Sequence, residues 1–92
     1  AIGNGGMLSV NNTDGNTVVG LIVGEYGGII GVGNDDGNPG IGISANENGG
    51  VLETYNTNNK MVGYFGTNNN KDGMILLRDR YGDAGWSATG KQ

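Results

Sequence analysis

An Asn- or Asp-led tetrapeptide returns at nearly constant spacing along the chain: NTDG at 12–15, NDDG at 34–37, NTNN at 56–59 and DRYG at 79–82. The intervals are 22, 22 and 23 residues. Self-similarity at a period of roughly 20–50 residues marks a repeat architecture, in which each row is one supersecondary unit stacked on the next. Four rows follow, 5–26, 27–48, 49–71 and 72–92. Each opens on a Gly pair or Asp-Gly: Gly5-Gly6, Gly27-Gly28, Gly49-Gly50 and Asp72-Gly73. Two apolar residues come next in every row, Met7-Leu8, Ile29-Ile30, Val51-Leu52 and Met74-Ile75. We read the 92 residues as a single repeat domain.

Each row has the chemistry of a β-hairpin. The leading residue of the tetrad folds its side chain onto the backbone, and the closing Gly takes the left-handed conformation that matches a short loop to strand twist. This assigns turn-forming roles to Asn12, Asp14, Gly15, Asn34, Asp36, Gly37, Asn56, Asn58, Asn59, Asp79 and Gly82. Asn59 stands where the other rows have Gly, and Asn is the next residue to tolerate positive φ. The Gly pairs are assigned the second set of reversals. Eight short strands are expected, near 7–11, 17–23, 29–33, 40–45, 51–55, 61–66, 74–78 and 85–89.

Composition agrees. Gly supplies 21 of the residues and only 35% are hydrophobic, but those fall in clusters such as VVGLIV (18–23) and MILL (74–77). A disordered chain is poor in such clusters. In the second strand of each row the apolar positions alternate: Val19, Leu21 and Val23 are followed a row later by Ile41, Ile43 and Ala45, then by Gly63, Phe65 and Thr67, then by Trp86, Ala88 and Gly90. A period of two with one apolar side predicts a half-buried strand. The first strands leave their register open, because both residues of each apolar pair could face the core.

An isolated hairpin is marginal in water, and a Gly-rich chain without Cys has neither a large core nor disulfides to support it. Two solutions remain: identical chains wrap together about an axis, or rows stack along one chain as a solenoid. The iterated pattern GG-φ-φ-x-V-x-N-x-D-G-x-x-V (φ apolar), carried by all four rows, resembles the Gly- and Asn-rich β-repeat shafts of phage tail fibres and related bacterial surface fibres. The resemblance implies an all-β, elongated array of hairpins in an intertwined homotrimeric, β-helix-like shaft; the single-chain hairpin solenoid is the alternative. Choline-binding solenoids have rows of similar length but regularly spaced Trp and Tyr, whereas here only Trp86 and four scattered Tyr occur.

Catalytic chemistry is scarce. The chain has no His and no Cys, and Ser9, Ser44 and Ser87 have no visible base partner. Carboxylates that could cleave glycosides are Asp35-Asp36, Glu25, Glu47, Glu53 and Asp72, yet Glu25 and Glu47 share a repeat column and serve the repeat. The loops NNTDGN and GNDDGN offer oxygen ligands but lack the ligand order and distal Glu of an EF-hand, so no metal and no cofactor is expected. A net charge of −4 with only five basic residues argues against nucleic acid. No apolar run reaches the length of a membrane helix and no signal peptide is visible. A start at Ala1 rather than Met is expected of a processed product or a piece of a longer chain.

The fourth row departs from the others in RDRYGDAGW (78–86), which gathers Arg78, Arg80, Tyr81 and Trp86. Such a cluster suits a capping row whose charges protect the end of the stack, or a glycan- or receptor-binding hot spot. The expectation is a non-enzymatic structural module of an extracellular or virion fibre, its partners further copies of itself. The alternatives are a carbohydrate- or receptor-binding tip centred on 78–86, and a filament subunit joining end to end.

Overall fold

The computed structural model describes residues 5–91. Its described residues form eight antiparallel strands: β1 Met7–Asn11, β2 Thr17–Gly24, β3 Gly27–Gly33, β4 Pro39–Asn46, β5 Gly49–Tyr55, β6 Met61–Thr67, β7 Gly73–Arg78 and β8 Ala84–Thr89. They lie in one open sheet in the order of the sequence, each strand paired with its chain neighbours. The slab measures 46 × 31 × 13 Å. That thickness is a single layer of strands with side chains, so the rows lie side by side rather than winding around a core.

Five of the seven connections are the same five-residue loop. In the first, the Asn12 N–H donates to the Asn16 carbonyl at 2.9 Å, and the Gly15 N–H donates to the Asn12 carbonyl at 3.0 Å. The Asn12 Oδ1 accepts from the N–H groups of Asp14 and Asn16, both at 3.0 Å. Asn34, Asn56 and Asp79 repeat this arrangement in the loops 34–38, 56–60 and 79–83. The fourth residue of each loop is left-handed: Gly15 at φ 86°, Gly37 at 82°, Asn59 at 62° and Gly82 at 88°. Asp14, Asp36 and Asn58 contribute to these loops through their backbone N–H groups.

The fifth such loop, 68–72, joins two rows. Asn68 Oδ1 accepts from Asn70 and Asp72, and Lys71 takes the left-handed position at φ 71°. The other two row-to-row connections are two-residue turns, Glu25-Tyr26 and Glu47-Asn48, closed by the pairs Gly24↔Gly27 and Asn46↔Gly49. The extra residue in the third row is therefore a change of turn type. Glu47-Asn48 becomes a full Asn-led loop, and the register of the strands beyond it is kept.

Within each row the second strand holds one extra residue next to the loop. Val10 pairs with Val19 but Asn11 with Thr17, which leaves Val18 as a bulge. Gly40, Val62 and Gly85 are the corresponding extra residues in β4, β6 and β8. A bulge offsets the phase change that a five-residue loop introduces, and this settles the first strands. Leu8, Ile30, Leu52 and Ile75 share one face with Leu21, Ile43, Phe65 and Ala88. Met7, Ile29, Val51 and Met74 lie on the other.

Candidate functional site

Two ladders run across the whole sheet on what we term its front face. Leu8, Leu21, Ile30, Ile43, Leu52, Phe65, Ile75 and Ala88 form one, each residue directly opposite the next. Val10, Val19, Val32, Ile41, Thr54, Gly63, Leu77 and Trp86 form the second, two residues away along the strands. The back face carries the complementary rows. Ser9, Gly20, Gly31, Gly42, Glu53, Tyr64, Leu76 and Ser87 align there, and Met7, Ile22, Ile29, Ser44, Val51, Gly66, Met74 and Thr89 form the ladder alongside.

The front face is open to solvent. Thirteen of its large apolar side chains are exposed, between 38% and 64% of their surface. Val51, on the back face, is the one buried hydrophobic residue among those described. It leans over Gly66, whose missing Cβ would meet Val51 Cγ2 at 3.2 Å. The alternation in β2 and β4 thus marks an apolar side that this chain alone leaves uncovered. The chain exposes 6413 Å², whereas a compact 9.4 kDa monomer exposes about 5,000 Å².

The loops are laced along one end of the strands. Asn12 Nδ2 and Asn16 Nδ2 both donate to the Asp35 carbonyl, at 2.8 and 3.0 Å, and Asn56 Nδ2 donates to the Arg80 carbonyl at 3.0 Å. In the first and third rows the leading Asn, Asn12 or Asn56, therefore has two roles. Its Oδ1 closes its own loop while its amide reaches the loop of the following row.

The fourth-row cluster does not converge. Trp86 stands on the front face opposite Leu77, while Arg78 is on the back. Arg78 Nη1 donates to the Gly82 carbonyl at 3.1 Å, which ties it to its own loop. Arg80 lies over the Tyr81 ring at 6.0 Å, at the loop end of the sheet. Four of this row's charges, Arg78, Asp79, Arg80 and Asp83, sit in and beside the loop 79–83, Asp72 lies in the loop 68–72 and Lys91 follows β8; β8 itself, AGWSAT, has none and is exposed along its length. A charged cap over the last edge is therefore not what this row builds.

The carboxylates considered for hydrolysis are dispersed: Asp35 and Asp36 in a loop, Glu25 and Glu47 in two-residue turns, Glu53 on the back face, Asp72 in the loop 68–72. Among the described residues no group of three His, Cys, Asp or Glu side chains is placed to hold a metal ion. A surface depression of about 280 Å³ between β2, β3 and β4 is lined by Thr17, Val19, Val32 and Ile41, with no ionisable side chain. Among the described residues no helix is long and apolar enough to cross a membrane. No protein-family profile matches the chain, and comparison with characterised proteins returns no significant match.

Proposed function

We propose that the chain is a non-enzymatic structural module of an extracellular or virion fibre, and that copies of it cover one another's front faces as a homotrimer. The single observation that carries this reading is the exposed front face, where one ladder is apolar across all eight strands and the second is interrupted only at Thr54 and Gly63. An apolar sheet face requires a second layer. The slab's long and middle dimensions enclose about 1,400 Å², more than the roughly 800 Å² per partner of a standard interface. The number three comes from the row pattern and its resemblance to fibre shafts. Three such slabs with front faces inward make a prism whose walls are continuous hydrogen-bonded sheet, a form suited to reach and stiffness.

A binding role centred on 78–86 has less support, because Trp86, Arg78 and the Arg80–Tyr81 pair point to different surfaces. Sedimentation equilibrium of the purified chain tests the main reading. Masses in multiples of three chains are expected, with Ile43→Glu/Leu52→Glu losing them because two charges then lie side by side on the covered face. A compact monomer, or a mass indifferent to that substitution, would overturn it.

A further inference from the structure

Among the described residues, nothing covers the outer edge of either outermost strand. Sheet edges in natural proteins are blunted by charge, Pro, brevity or a covering element, because a free row of N–H and C=O groups templates further pairing. Here β1, MLSVN, and β8, AGWSAT, contain no charged residue and no Pro. Each pairs with one neighbour only, at opposite ends of the strand order.

We propose that the β8 edge of one copy pairs with the β1 edge of the next, joining modules head to tail in one continuous antiparallel sheet. The occupant is a second copy of this chain, and three observations select it. The strand order ends on a strand antiparallel to the one that begins it, so β8 followed by another copy's β1 continues the meander. The register between rows is constant: Leu21 faces Ile30, Ile43 faces Leu52 and Phe65 faces Ile75. Extending it sets Ala88 against Leu8, Trp86 against Val10 and Ser87 against Ser9, which keeps both front ladders in phase. A one-residue slip would exchange the faces.

The charge layout points the same way. Residues 1–55 carry six acidic and no basic side chains, and residues 56–92 carry three acidic and five basic. Head-to-tail joining places the basic half of one copy beside the acidic half of the next; head-to-head or tail-to-tail joining sets like against like. The contact is heterologous and does not close on itself, so it propagates.

A cysteine pair reads this contact directly, since the chain has no Cys of its own. Residues directly opposite in an antiparallel pair have Cα atoms about 4.5–5.5 Å apart, within disulfide range. Ser9 and Ser87 stand on opposite edges of the sheet, so they cannot bridge within one chain. The 92-residue chain carrying S9C/S87C, oxidised and run on a non-reducing gel, is expected to give a ladder extending beyond three chains, while S9C/S44C, with its second thiol in the middle strand β4, gives none beyond dimers. Circular dichroism of both variants checks that the sheet is retained. Monomers only, a ladder ending at three chains, or equal ladders from both variants would overturn the proposal. The mass of the Ile43→Glu/Leu52→Glu variant reads the front face alone, so the two contacts fail separately.

Discussion

Asn34 shows how much one side chain carries. Its Oδ1 accepts from the N–H groups of Asp36 and Asn38, at 3.0 and 3.1 Å, and these have no strand partner of their own. Asn34→Ala leaves two backbone donors to water, and we expect a loss of about 1–2 kcal/mol in a urea titration. Lys71 makes the opposite case. Its φ of 71° is a conformation that costs an ordinary L-residue about 1–2 kcal/mol. Lys71→Gly is expected to raise stability by up to about 1 kcal/mol, since relief of strain exceeds the extra unfolded-state freedom of Gly. Four of the five left-handed loop positions are plain in the sequence, as Gly15, Gly37 and Gly82 and as Asn59 in the column of those glycines. Lys71 is not, because nothing about a lysine announces φ above zero; only Asn68, three residues earlier, signals the loop.

At the scale of the element, glycine has two meanings here. Gly66 in β6 lies against its neighbour: an added Cβ would meet the Gly50 carbonyl oxygen at 2.8 Å and Val51 Cα at 3.0 Å. Gly66→Val must force β5 and β6 apart, and a loss of at least about 2 kcal/mol is expected. Gly31 in β3 has nothing within 4 Å of the same point. Gly31→Ala is expected to be neutral or stabilising by up to about 1 kcal/mol, through the unfolded chain's lost freedom. Thermal unfolding of the two variants side by side checks the contrast. The eight strands were legible from clusters and turns. The four bulges were not, since VVG, GIG, VGY and GWS have no common composition. Their regularity, at Val18, Gly40, Val62 and Gly85, shows only in the pairing.

For the whole molecule, a sheet one layer thick has almost no core of its own, Val51 being the one buried hydrophobic residue among those described. On the proposed reading assembly removes the front ladders from water, so stability should follow concentration. Tenfold dilution is expected to lower the midpoint of thermal unfolding by several degrees, whereas a self-sufficient monomer would hold its midpoint constant. Calorimetry at two or three concentrations checks this. Pairing the same experiment with Ile43→Glu/Leu52→Glu, which removes the dependence on the proposed reading, assigns the effect to the front face.

The repeat, its row boundaries and the hairpin in each row are local matters. Asn, Asp and Gly act on backbone atoms within five residues, so their spacing alone states where the chain reverses. Which residue of each apolar pair joins Leu21 and Ile43 is not local. It depends on a bulge two residues from the loop, and hence on strand pairing. The separation of Trp86 from Arg78 has the same origin, because residues eight apart in sequence fall on opposite faces once a loop and a bulge lie between them. Only the tertiary structure decided that all the rows form one open sheet with an exposed apolar face, ending on β1 and β8.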